Sequence, residues 1–222
     1  MRRVRAFDGV LFDFGHTLFT NRPARACTEA FYASSGIEVD EDTFAACWAG
    51  IRERSRQPDE LAKGRDTNAA LHRACWLALL APMDVLAPGL CEFTYELESS
   101  HRGWEPYPDS AEVLGELRRR EVPVGVVSDC GWDIREPFKV YGLEDLVKCF
   151  DLSFEHGVCK PDRAIFSAAS EHLGVPAART LFVGDSPLTD GGAAAVGIAT
   201  YLLPARDRVA SPALSAVLDL VG

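Results

Sequence analysis

The chain has no two cysteines in close spacing. Its seven, Cys27, Cys47, Cys75, Cys91, Cys130, Cys149 and Cys159, follow no C-x-x-C pattern. An odd, scattered set excludes a disulfide frame or a zinc site and reads as reduced thiols, the state expected of a cytoplasmic protein. No run approaches the roughly 18 to 20 apolar residues of a membrane span. The basic start, Met1 to Arg5, is followed by Asp8 and Asp13, which interrupt the apolar stretch a secretory signal needs. Positive charge is short: 23 Lys and Arg stand against 33 Asp and Glu, a net charge of −10. That balance argues against nucleic acid and anionic membranes as partners, since both demand a basic surface. Repeats and low-complexity tracts are absent too, and Lys63 is the only lysine between Leu18 and Trp104.

What is present is ordinary globular material, 47% apolar and 25% charged, over 222 residues. That length suits one domain plus an insertion. Short apolar runs predict strands at Gly9–Phe14, Val122–Val127, Phe150–Phe154, Thr180–Val183 and Ile198–Leu203. Helical periodicity predicts Ala111–Arg120, opened by an Asp109/Glu112 capping box, then Trp132–Tyr141, Asp162–Leu173, Thr189–Val196 and a closing Pro212–Leu220. From about Arg22 to Ser100 the period is helical throughout, clearest at Phe44, Cys47, Trp48 and Ile51 and at Leu71, Cys75 and Leu79. Arg52–Asp66, charged and carrying Pro58 and Gly64, reads as a solvated connection. No strand is expected within this stretch. Glu105-Pro-Tyr-Pro-Asp109 reads as a hinge. The fold expected is therefore α/β, a Rossmann-like parallel sheet flanked by helices with an inserted all-helical unit: core at 1–18 and 105–222, insertion at 19–104.

Three apolar runs end in polar groups, Asp13, Ser128 and Asp185, and a parallel sheet gathers such ends at one edge, where ligands bind. Lys160 opens a helix after a fourth run. Carboxylates, a hydroxyl and a lysine in one cleft suit a hard divalent cation such as Mg²⁺ with a phosphate group.

In these residues the chain resembles the haloacid dehalogenase-like hydrolases. Four motifs are matched in order: Asp13-Phe-Gly-His-Thr17-Leu, Val124–Ser128, Lys160-Pro161 and Gly184-Asp185-Ser-Pro-Leu-Thr-Asp190. The resemblance covers roughly residues 6–18 and 105–204, and the insertion stands where the family carries a cap. It implies a phosphatase acting on a small phosphorylated metabolite. Asp13 is then the nucleophile, forming an aspartyl-phosphate. Mg²⁺ is held by Asp13, the Gly15 carbonyl and Asp185, with Asp190 acting through water. Ser128 and the backbone N–H of Asp129 hold phosphate oxygens, Lys160 neutralises charge, and Thr17 ties down the turn.

One position departs from the pattern. Two residues after the nucleophile, family phosphatases carry a second Asp as general acid and base; here stand Gly15 and, after it, His16. Such groups contribute roughly 10²–10⁴-fold. His16, with an ordinary pKa near 6.5, is the nearest candidate replacement. Otherwise the substrate supplies a leaving group that is already a weak base, such as an aryl or acyl phosphate. Two alternatives stay open: a catalytically weak relative that binds a phosphorylated ligand or partner, and a carbon–halogen hydrolase, which would leave Asp185 and Asp190 without a use. Trp48, Trp76 and Phe93 read as helix core, Arg22, Arg65 and His72 as solvated faces, and Cys130 and Cys159 as buried, inert thiols.

Overall fold

The computed structural model describes residues 6–204 and 214–222. Strand β1 (Gly9–Phe12) is followed by a short strand β2 (Phe19–Asn21) and the helices α1 (Ala24–Ser35), α2 (Glu41–Ser55), α3 (Pro58–Leu61), α4 (Ala69–Leu80) and α5 (Leu90–Glu98). The chain continues through β3 (Trp104–Pro106), α6 (Ser110–Arg119), β4 (Val124–Ser128), α7 (Arg135–Val140), β5 (Cys149–Leu152), α8 (Ser153–His156) and α9 (Arg163–Leu173). It ends with β6 (Thr180–Gly184), β7 (Ala199–Leu202) and α10 (Ala216–Val221). Five strands pair in parallel in the order β5-β4-β1-β6-β7, which puts β1 at the centre.

The strands are apolar on both sides because helices cover both faces. Val10, Phe12, Val124, Val126, Leu181 and Val183 pack with Val113, Leu114 and Leu117 of α6, Phe138 of α7 and Val217 of α10. The intervening Leu11, Val127 and Phe182 pack on the other face with Ile165, Phe166, Ala169 and Leu173 of α9. This alternation is the period of two that a strand imposes on its side chains. Helices α1, α2, α4 and α5 enclose a third cluster, among them Phe31, Phe44, Ile51, Leu80 and Leu97. The insertion therefore has a core of its own. Asp40 caps α2 by accepting from the Thr43 N–H, and Gly36, at φ 72°, ends α1.

Several local expectations are corrected. Strands do occur at the ends of the insertion: β2 and β3 pair antiparallel, Phe19 with Pro106 and Asn21 with Trp104, so part of the expected hinge is a ribbon. The Asp109 side chain caps no helix and instead accepts from the Leu214 N–H at 3.0 Å, tying down the C-terminal segment. Arg52–Asp66 is not a solvated connection. It holds the end of α2, all of α3 and the buried Glu60 and Arg65. Strand β5 stops at Leu152, where α8 begins, and the turn after β6 winds into a 3₁₀ helix, Asp190–Val196. Pro212, where the closing helix is expected to open, lies outside the described residues. All seven cysteines are free, and no helix among the described residues is long and apolar enough to cross a membrane.

Candidate active site

Asp13 follows the central strand directly and is anchored by its N–H, which donates to the Val183 carbonyl at 2.9 Å. Ser128 closes the neighbouring strand β4 and is buried. Asp185 follows β6 on the other side. The sheet order thus brings together three strand ends that are far apart in sequence. Lys160 reaches in from the segment before α9. Its ammonium donates to Asp13 Oδ1 and to Asp190 Oδ1, each at 2.7 Å. Asp190 is fully buried, and its Oδ2 accepts from the N–H groups of Asp185 and Ser186 at 3.0 and 2.9 Å, so it sets the course of the loop as well as binding Lys160. Gly184 is required here by close approach, because a Cβ on it would lie 2.2 Å from that Oδ2.

One carboxylate oxygen from each of Asp13, Asp185 and Asp190 falls within 4.8 Å of the others. Three carboxylates face one ammonium, an excess of negative charge that a hard divalent cation with oxygen ligands would relieve. The same excess shows in the ionisation. Burial, reinforced by Asp190 and Asp185, pushes Asp13 up to about 8 against the pull of Lys160. Asp185 is raised as well, by burial and then by Asp190, while Lys160 and Arg56 oppose the shift. Burial alone would lower Lys160, but Asp13, Asp190 and Asp129 overcome it and hold the ammonium well above its ordinary value.

The side chain of Asp129 is engaged as well. Its Oδ1 accepts from the Lys160 N–H at 2.8 Å and so orients the lysine. Gly15 lies against Trp104: a Cβ on it would meet the indole ring at 3.5 and 3.6 Å. Thr17 is fully buried in the turn. His16 takes the left-handed backbone conformation, φ 58°, and its N–H donates to the Phe19 carbonyl at 2.6 Å.

His16 also meets the insertion, a contact the sequence reading missed. Arg52 Nη2 stands 2.6 Å from His16 Nε2, and Arg52 Nη1 donates to Asn21 Oδ1 at 3.1 Å. Asn21 Nδ2 in turn donates to Glu98 Oε2 at 2.5 Å. Arg65 is buried, with its guanidinium 5.1 Å from the Trp76 ring centroid and Nη1 donating to the Ser55 carbonyl. His72 is buried rather than solvated, whereas Arg22 is exposed and donates to Tyr141 at 3.4 Å. Ser153 Oγ bridges the two units, donating to the Asp66 carbonyl at 2.5 Å and accepting from the Cys130 N–H at 2.9 Å. Burial pushes the Cys159 thiol up to about 12 and Cys130 higher still, so neither is a reactive thiolate.

The model of the haloacid dehalogenase-like hydrolase family matches residues 7–197. The chain belongs to that family. Among curated proteins it is 34% identical to Phosphatase MT3486 of Mycobacterium tuberculosis over 124 residues, 52% of this chain and 57% of that protein. It is 24% identical to the (S)-2-haloacid dehalogenase of Pseudomonas fluorescens over 190 residues, 82% and 78% of the two chains. The chain thus spans little more than half the length of that phosphatase. Among solved structures, the phosphatase of this family from Thermococcus onnurineus superimposes with a TM-score of 0.63 at 22% identity, covering 97% of this chain and 98% of that one. The hydrolase YfnB from Bacillus subtilis, bound to magnesium, superimposes with a TM-score of 0.71 at 18% identity, covering 98% and 99%. At such identities the likeness concerns the fold.

Proposed function

We propose that this hydrolase is a Mg²⁺-dependent phosphatase of small phosphorylated metabolites, with neither nucleic acid nor membrane as partner. The observation that carries this reading is the single ammonium of Lys160 held between Asp13 and Asp190, with Asp185 completing a cluster of carboxylates. Asp13, Asp185 and the Gly15 carbonyl would hold the ion, with Asp190 supporting it through water. Bound there, Mg²⁺ supplies charge neutralisation for an otherwise forbidden approach of carboxylate to phosphate.

The chain's own residues do the rest. A carboxylate oxygen of Asp13 attacks phosphorus, the bond from phosphorus to the leaving oxygen breaks, and the leaving group departs with that electron pair as an oxyanion, which then takes a proton from water. Water then cleaves the aspartyl-phosphate, freeing phosphate and restoring the carboxylate. Ser128 and the Asp129 N–H hold phosphoryl oxygens, and Lys160 balances charge on Asp13 and the phosphoryl group. His16 is poorly placed to protonate the leaving oxygen through Nε2, which accepts from Arg52. The enzyme is therefore best suited to leaving groups that are weak bases. A steep dependence of rate on leaving-group pKa is expected, and a flat one would count against this.

A second reading has an observation in its favour. Gly15 offers no acid, and halide leaves without one. The likeness to the Pseudomonas fluorescens dehalogenase covers most of the chain. Panels of phosphate esters and 2-haloacids, with Mg²⁺ or with chelator, separate the readings. Phosphate release that needs Mg²⁺ and is lost in Asp13→Asn supports the phosphatase. Halide release indifferent to chelator would overturn it, and ligand binding without turnover would mark a binding protein.

A further inference from the structure

An open groove of about 720 Å³ runs along α2, lined by Ala24 of α1 and by Trp48, Arg52, Glu53 and Arg56. Residues 48, 52 and 56 are four apart and so share one stripe of the helix. The groove borders the turn that follows Asp13, through Arg52. Arg52 lines it and touches His16, and the charge of Arg56 acts on Asp185.

Its two arginines differ. Arg52 is held in place by His16 and Asn21, one contact from each terminal nitrogen. Arg56 is exposed, and among the described residues its guanidinium has neither an ion pair nor a hydrogen bond. Trp48 is half-buried, packing its ring 6.3 Å from that of Trp76 while also lining the groove. It is therefore not wholly the helix core that its periodicity suggests. Two arginines face one glutamate, so the groove is locally cationic on a chain of net charge −10.

We propose that the groove receives the leaving group, and that the substrate is a phosphate monoester of a flat, apolar alcohol bearing a second oxyanion, carboxylate or phosphate. Trp48 lies against the flat body, and Arg56 takes the oxyanion through its planar fork of donors. This rests on the phosphatase reading above and names its substrate class. The two fit chemically. A flat, conjugated alcohol departs as a weak base, which is what a turn bearing Gly15 and no acid requires. An ester lacking the second oxyanion leaves Arg56 without a partner.

The test compares phenyl phosphate with carboxyphenyl phosphate in the wild type, Arg56→Ala and Arg56→Lys, in the presence of Mg²⁺. The wild type is expected to prefer the carboxylated ester by about tenfold or more in kcat/KM, as a charge-assisted hydrogen bond allows. That ratio falls toward one in Arg56→Ala and is partly kept in Arg56→Lys. A wild type with no preference, or a preference that survives Arg56→Ala, overturns the proposal and shows Arg56 to be only a screen for Asp185. Fluorescence titration of Asp13→Asn with the same esters reads the groove without turnover. Tighter binding of the carboxylated ester, with a signal lost on adding Trp48→Phe, supports the groove even where the wild type hydrolyses neither ester, in which case only the phosphatase reading falls. Equal binding of both esters overturns the groove.

Discussion

Arg52 Nη2 lies 2.6 Å from His16 Nε2. A guanidinium only donates, so that ring nitrogen accepts and the imidazole proton sits on Nδ1. The histidine beside Gly15 is thus engaged by the insertion, and the turn after Asp13 lacks an obvious acid. Restoring one is feasible, because a Cβ on Gly15 would make only ordinary contact with Trp104, at 3.5 and 3.6 Å. Gly15→Asp is expected to raise kcat on alkyl phosphates by about 10²-fold, and far less on aryl phosphates. An unchanged alkyl-to-aryl ratio would show that the acid is not what limits the enzyme.

The carboxylate cluster predicts stabilisation by metal, readable without turnover. Mg²⁺ at about a hundred times its Kd should stabilise the fold by about 2.7 kcal/mol, or roughly 5–10 °C in Tm for a chain of this size. Chelator removes the shift. Asp185→Asn should remove most of it, since Asp185 is the least occupied of the three carboxylates: Asp13 and Asp190 already accept from Lys160. A full shift in Asp185→Asn would mean that the ion binds elsewhere.

Glu98 should make stability fall with rising pH. Burial pushes it from its ordinary 4.5 up to about 8, against the pull of Arg52. The folded protein holds this proton more tightly than the unfolded chain does. The contribution of Glu98 to stability is therefore full below about pH 4.5, declines as pH rises through about 8, and levels off beyond; that loss is at most about 5 kcal/mol. Glu98→Gln keeps an acceptor for Asn21 without the charge. Thermal melts should find the two proteins alike near pH 5 and the variant several degrees higher near pH 9. Parallel Tm curves would refute this.

Gly131 controls how the cap seats. A Cβ there would lie 2.2 Å from the Cβ of His72 on α4. The backbone of Gly131 is not in the left-handed region, so the core itself tolerates alanine. Gly131→Ala should lower kcat/KM by about tenfold or more through misplacement of the cap, and lower Tm by the few degrees that overpacking of about 1–3 kcal/mol brings. Full activity in that variant would show that close seating is dispensable.

How much of this was legible beforehand depends on how each residue is placed. Asp13, Ser128 and Asp185 sit where apolar runs stop, and a parallel sheet makes such ends converge. Lys160 and Asp190 belong to motifs that flank those ends. Arg52, Asn21 and Glu98 come from α2, β2 and α5, and only the packing of the insertion joins them; nothing local marks them. Strands β2 and β3 are three residues each, too short for a period of two to show. Charge misled at Glu60, which reads as solvated but is buried because Arg54 and Lys63 pair with it at 3.0 and 2.7 Å.

The pairing of Phe19 with Pro106 and of Asn21 with Trp104 reaches beyond the hinge. Because departing and returning chain are zipped together, the sheet sees everything between them as one closed loop on a narrow neck. Away from that neck the insertion is held to the core only by side-chain and backbone contacts such as Arg52 with His16 and Asp66 with Ser153. Such a junction confines the covalent link between the two units to one place beside the strand ends.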